Sequence, residues 1–171
     1  GASYIHWVEA NRYLYFKSKW RLDKKVNQIT CAVISDQDGE NVDFNITSST
    51  QSSSMLKLKE HLKVHPDIRE VKTQKRKTLT IDTLMRKSKL GKKNIDFLNL
   101  DIQGAELLAL KGARNTLPRV NSIFTEVNEI ELYENCALIH EIDSYLSEFG
   151  FRRVEIKIFE NCGWGDAFYI K

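Results

Sequence analysis

Four stretches of this chain put acidic or amide side chains where an apolar run gives out. Glu9 closes "YIHWV", with Asn11 just beyond it, and Ser35 and Asp36 close "ITCAVI". Asp101 closes "IDFLNL", with Gln103 following, and Glu126 and Asn128 lie at the end of "VNSIFTEVN". In an open, mainly parallel sheet, ligands bind beyond the carboxyl ends of the strands, so acids delivered there by several strands share one edge. A carboxylate at such an edge can accept hydrogen bonds from a pair of ribose hydroxyls, which is the chemistry open to Glu9. Asp36, one strand over, is placed to reach an adenine edge, with Ile34 beside it to pack on the ring. Asp101 lies where a strand gives way to a helix, close to the backbone N–H groups that a helix start leaves free. Gly104 allows close backbone approach there, or an unusual dihedral. Asp101 or Gln103 can cap that helix, and Glu106 in its first turn favours the dipole, so Glu106 reads as helix support.

The elements that carry these residues alternate in type. Tyr4 to Glu9 reads as a short buried strand, and Asn11 to Trp20 as a helix with Leu14, Phe16 and Trp20 on one side. Ile29 to Asp36 is a continuous β-favouring apolar run, followed by a turn at Asp38-Gly39 and an alternating strand from Val42 to Ile46. Thr47 to His61 opens as a Ser/Thr/Gln loop and then turns helical, and Val64 to Thr78 reads as a polar connector broken by Pro66. Leu79 to Leu90 predicts a short strand and a helix beginning near Asp82. Val120 to Asn128 is a further buried strand, and Cys136 to Phe151 an amphipathic helix that stops at Gly150. Two strands, "RRVEIKIFE" and "GDAFYIK", end the chain. The alternation predicts an α/β domain over 1–171 with a mainly parallel sheet, and the closing pair, joined by a short turn, predicts one antiparallel terminal strand. That ending is the signature of a class I methyltransferase (Rossmann-like) sheet.

Composition narrows the classes further. With 171 residues, 42% of them hydrophobic and 29% charged, the chain is long enough for one domain with a real core. A formal charge of +3 does not argue for nucleic acid, and the basic run Lys72 to Lys77 has no interleaved aromatics. No apolar run approaches membrane-spanning length. The three cysteines, Cys31, Cys136 and Cys162, are scattered, which fits reduced thiols and a cytoplasmic location. His61 and His65 share a helical spacing, but no acid or cysteine completes a metal-ligand pattern around them, and they read as solvated. Gly-x-Ser-x-Gly, Gly-Lys-Ser/Thr and paired Cys-x-x-Cys motifs are absent.

At "FLNLDIQGAELLALKGA" the sequence resembles the FkbM-type methyltransferases. Asp96, Phe97, Leu98, Asp101, Gly104, Glu106, Leu110, Gly112 and Ala113 fit the family pattern, and Gln103 stands where a glutamate is more usual. The likeness continues upstream through "WVEAN", "AVISDQDGENVDFNI" and "QSSSML", and downstream through "FTEVN", "YLSEFGF" and "GDAFYI". It implies transfer of a methyl group from S-adenosylmethionine to a hydroxyl of a sugar, lipid or small-molecule acceptor.

Carried onto this chain, the resemblance gives Glu9 the ribose role, with Asn11 beside it, and places Ser35 and Asp36 near the adenine. Asp101 and Gln103 lie at the methionine end, and Glu126 faces Asp101 as a second carboxylate. Gln51, Ser52, Ser53 and Ser54 line the mouth of the site, with Asn128 on the acceptor side. Either Asp101 or Glu126 can take the acceptor's proton, and no ligand spacing calls for a metal. The family begins with a glycine-containing strand and turn that this chain lacks, so the expectation is an N-terminally incomplete domain. It would belong to a longer chain or an oligomer and bind cofactor weakly alone. Two other readings stay open: a degenerate, non-catalytic domain used for binding or assembly, and an α/β nucleotide-binding oxidoreductase.

Overall fold

The acid-bearing runs fold as strands, and the order in which they pair decides where the acids meet. A computed structural model describes residues 2–171. Strand β1 (Ile5–Val8) pairs in parallel with β2 (Asn27–Thr30), and helix α1 (Arg12–Lys19) connects them. Strand β3 (Val33–Ile34) adds in parallel to β5 (Glu70–Leu79), which forms a long antiparallel ribbon with β4 (Asn41–Thr47). A one-turn helix α2 (His61–Val64) lies within the connection between β4 and β5. After α3 (Ile81–Lys87), a four-stranded sheet contains β6 (Ile95–Leu100), β7 (Val120–Asn128), β8 (Arg152–Ile158) and β9 (Trp164–Ile170), in the order β6-β7-β9-β8. Helix α4 (Glu106–Lys111) links β6 to β7, and α5 (Ile139–Ser147) links β7 to β8.

The pairing of β6 with β7 is parallel, while β9 runs antiparallel to both β7 and β8, so the expected reversed terminal strand is present. The core lies on the helix-covered side of this sheet. Ile123 and Val127 of β7 and Ala167 and Tyr169 of β9 pack with Ala109, Leu110, Ile142 and Leu146 of α4 and α5. Phe97 and Phe124 lie on the opposite side, 54% and 36% exposed, and no helix among the described residues covers them. None of these helices is long and apolar enough to cross a membrane.

Several elements differ from the sequence expectation, each for a physical reason. Ile29 to Asp36 is not one strand: it breaks at Cys31-Ala32 and feeds two sheets, β2 and β3. Residues 70–79, read as connector, form β5. The inward positions of this strand are Arg76 and Thr78, so its two-residue burial period is written in polar side chains and escapes a hydrophobic pattern. Only one helical turn, α2, follows the serine tract. Strand β1 is not buried, because it has β2 on one side only; Trp7 is 45% exposed. Phe16 and Trp20 of α1 likewise face outward.

Candidate active site

The four-stranded sheet and the β1–β2 pair are not joined by hydrogen bonds. Between them runs a cleft of about 1380 Å³ whose walls include every residue of β1 and every residue of β6. Its far walls come from the serine tract, His61, Leu132, Tyr133, Phe159 and Trp164. Glu9, Asn11, Gln51, Ser52, Ser53, Asp101, Gln103, Glu126 and Asp166 all border it.

Asp101 follows the last residue of β6 and is exposed to this space. The chain then turns through Gln103 at φ 59° and Gly104 at φ 92° before α4 begins. A Cβ on Gly104 would stand 3.0 Å from Cys136 Cβ and 3.1 Å from Tyr133, so both the dihedral and the space demand glycine. The helix start is Ala105, with no side-chain cap bond, so neither Asp101 nor Gln103 caps it. Glu106 holds the turn instead. Its carboxylate accepts the N–H groups of Ile102 at 2.9 Å and Gly104 at 3.3 Å. Being 1% exposed, it is raised to about 7 by burial first and by Asp101 among its neighbours.

Gln103 spans the two expected carboxylates. Its Nε2 donates to Asp101 at 2.7 Å and to Glu126 at 2.8 Å, and its Oε1 accepts from the Tyr133 hydroxyl at 2.8 Å. Glu126 lies in β7 opposite Asp166 of β9, so two acids stand in register on the cleft side. Burial is the main cause that pushes Glu126 up, to about 9, with Glu106, Asp101 and Asp166 adding repulsion and Gln103 opposing. Asp166 is raised for the same reasons, burial first and then Asp101. The pair is therefore unequal: an exposed acid beside one whose burial favours the neutral form.

Glu9 borders the other end of the cleft. Its carboxylate accepts the Asn11 N–H at 2.7 Å, while the Asn11 side chain caps α1 by accepting from Tyr13 and Leu14. Burial raises Glu9, and the N–H groups of Asn11 and Ala10 and the Arg76 charge oppose the rise.

With this geometry in place, the comparisons with known proteins identify the chain. The Methyltransferase FkbM domain profile matches residues 1–153. The chain belongs to the FkbM methyltransferase family. A weaker relative is the 2-O-methyltransferase NoeI of Sinorhizobium fredii (strain NBRC 101917 / NGR234), 36% identical over 62 residues. That alignment covers 36% of this chain and 26% of the relative, so the chain spans about a quarter of the relative's length. No solved structure matches the chain.

The FkbM fold brings Asp101, Gln103 and Glu126 together and sets Glu9, Asn11 and Gln51 to Ser53 around the same cleft. Ser54 stands behind this wall and donates its hydroxyl to the Gln103 carbonyl at 2.7 Å. Three further residues expected at the site, Ser35, Asp36 and Asn128, lie away from the cleft wall. Ser35 bonds Asp36 at 3.0 Å, and a Cβ on Gly112 would meet the Ser35 carbonyl at 2.2 Å, which sets this pair against the C-terminal end of α4. Asn128 is fully buried, with neither side-chain polar atom bonded among the described residues. His61, read as solvated, is 5% exposed and packs its ring, tilted by 50°, with its centroid 5.3 Å from that of Tyr133.

Sequence reasoning missed Tyr133, Asp166 and Arg76. Asp166 had a signal, an acid inside an otherwise apolar last strand. Arg76 lay in the basic run but at an inward position of β5, and Tyr133, in an irregular loop, carried no periodic signal. Among the described residues, no three His, Cys, Asp or Glu side chains group so as to hold a metal.

Proposed function

We propose that this domain transfers a methyl group from S-adenosylmethionine to a hydroxyl oxygen of a glycan, lipid or small-molecule acceptor, with Asp101 as the base. The observation that carries the reading is the unequal acid pair: Asp101 faces the cleft as an exposed carboxylate, whereas burial favours the neutral form of Glu126. A base must reach the acceptor, which favours Asp101 on the open side of the cleft and leaves Glu126 as a buried hydrogen-bonding wall. The methyl donor supplies an electrophilic sulfonium carbon. As the acceptor oxygen bonds to that carbon, the S–CH3 bond breaks, the acceptor's proton passes to Asp101, and S-adenosylhomocysteine leaves. Positioning by the cleft walls contributes much of the rate in such an in-line displacement. A hydroxyl acceptor is supported by the name of the partial relative, a 2-O-methyltransferase.

The cleft fits the donor in its donor set. Glu9 offers a half-buried carboxylate with one oxygen uncommitted, suited to ribose hydroxyls, at one end, and Asp101 with Gln103 flank the other. The volume is larger than the roughly 300–1,000 Å³ of an ordinary small-molecule pocket. The excess is the space between the unpaired edges of β1 and β6. The Tyr4 hydroxyl bonds Gln28 at 2.5 Å, and the Lys89 N–H approaches the same Gln28 oxygen at 3.4 Å, which ties the start of β1 to the segment leading into β6. We read the space as the seat of one further strand, supplied by sequence outside residues 1–171 or by another chain, which completes the sheet and the floor under the cofactor.

The open strand seat also favours a second reading, a non-catalytic domain that uses the fold for assembly. Transfer of a labelled methyl group to a panel of sugars, lipids and small hydroxyl compounds separates the two when the domain is expressed with any sequence preceding Gly1 in its reading frame. Product carrying an O-methyl signal, lost in Asp101→Asn, supports the enzyme. Absence of transfer to every acceptor supports the assembly domain.

A further inference from the structure

Three contacts hold the amide of Gln103 in one orientation. Its NH2 group faces Asp101 at 2.7 Å and Glu126 at 2.8 Å, where a carboxylate oxygen and the carbonyl oxygen of a protonated carboxyl can each accept. Oε1 then faces away, toward Tyr133, whose hydroxyl must donate to it at 2.8 Å. That hydroxyl has a single proton, and the Ser52 carbonyl at 3.5 Å is too far to compete for it. Everything around the pair is fixed. Tyr133 is 1% exposed, its ring lies against Gly104 and His61, and the Gln103 carbonyl is held by Ser54. Gln103 itself sits in a left-handed conformation that only surrounding contacts can maintain.

We propose that Tyr133 is a positioning residue of the methyl-transfer site, whose hydroxyl locks the Gln103 amide with its N–H groups on Asp101 and Glu126. The lock sets how readily each of the two acids takes a proton. The inference rests on the reading of these acids as the reacting pair. Glu126 is faced by Asp101 at the end of β6, Glu106 of α4 and Asp166 of β9, all acidic, and Gln103 is the donor that offsets them. Without the hydroxyl the amide is free to turn its oxygen toward the acids, which favours their protonated forms.

The test is Tyr133→Phe, which keeps the ring, in the full chain. The Glu126 carboxyl carbon, followed by NMR in glutamate-labelled protein, is expected to titrate higher by about one pH unit. Tyr145→Phe, which removes a hydroxyl 3.4 Å from the Leu110 carbonyl, is expected to leave that titration alone. The acidic limb of the kcat profile for methyl transfer moves up in parallel, while KM for the donor stays within about twofold. In a Gln103→Met background, Tyr133→Phe should add nothing. A folded Tyr133→Phe that titrates as wild type overturns the proposal, and so does a shift that persists in the Gln103→Met background. Should Tyr133→Phe fail to fold, Gln103→Met alone must show the upward shift, and its absence overturns the proposal equally. A wild-type protein that transfers no methyl group defeats the functional reading, yet the titration still decides the role of Tyr133.

Discussion

The Arg76 guanidinium, projecting inward from β5, donates to the carbonyl of Ala10, the residue after Glu9. The same side chain contacts Cys31 Sγ at 3.2 Å, and its charge joins the Asn11 and Ala10 N–H groups in opposing the rise that burial gives the Glu9 carboxyl. A polar ribbon thus supports the loop that presents Glu9. Arg76→Met keeps the bulk and removes these bonds, so urea unfolding should register a loss of about 1–3 kcal/mol. In the catalytic form, KM for the methyl donor should rise several-fold with kcat little changed. An unaltered KM would separate Arg76 from the Glu9 loop.

Asp101→Asn and Glu126→Gln should differ sharply in turnover. Losing the base costs about 10²–10⁴-fold in kcat. Glutamine copies a protonated glutamate and still accepts from Gln103, so Glu126→Gln should stay within about tenfold of wild type. Equal losses would mean that Glu126 works as a carboxylate.

The same burial makes stability pH-dependent. Glu126 rises from 4.5 to about 9 on folding, so between these values the unfolded chain has released a proton that the folded chain keeps. Where the folded state binds more protons, raising the pH destabilises it. The contribution of this group is fully favourable below about pH 4.5 and is lost progressively up to about pH 9. Thermal midpoints should therefore fall from pH 5 to pH 9, and the slope should flatten in Glu126→Gln. Parallel slopes would show that other groups control the decline.

Gly104→Ala places a methyl group 3.0–3.1 Å from Cys136 and Tyr133 at a φ of 92°. Strain and overpacking together predict a loss of about 2–4 kcal/mol, read as a lower denaturant midpoint with an unchanged m-value.

How far the sequence carried these conclusions depended on where each signal lay. Apolar runs that end in acids gave β1, β6 and β7 and three of the acids that line the cleft, because burial and strand direction are both written there. The reversed β9 was legible from two strands too close together for a crossover helix. Strand β5 was not legible, since its inward positions are Arg76 and Thr78. The helix cap that Asp101 or Gln103 could have supplied is not formed, and Glu106, four residues from Ile102, takes the turn's free N–H groups, as its reading as helix support expected. Ser35 and Asp36 were expected at the cofactor because Ile29 to Asp36 reads as one strand. Ala32, Val33 and Ile34 still line the cleft beyond the break at Cys31-Ala32, and Ser35 and Asp36 after them pack against the C-terminal end of α4.

The open seat between β1 and β6 makes a prediction independent of turnover. Each strand pairs on one side only, so the N–H groups of β6 that point away from β7 have no strand partner among the described residues. In hydrogen exchange of residues 1–171, alternate amides from Ile95 to Leu100 should exchange quickly, while their neighbours bonded to β7 stay protected. On the proposed reading of this seat, calorimetric titration of the same chain with S-adenosylhomocysteine should give no micromolar binding. Supplying the further strand, from any sequence that precedes Gly1 or from another chain, should protect the remaining β6 amides and bring on binding together. Uniform protection of β6, or micromolar binding by residues 1–171, would mean that the seat is already closed and needs no further strand.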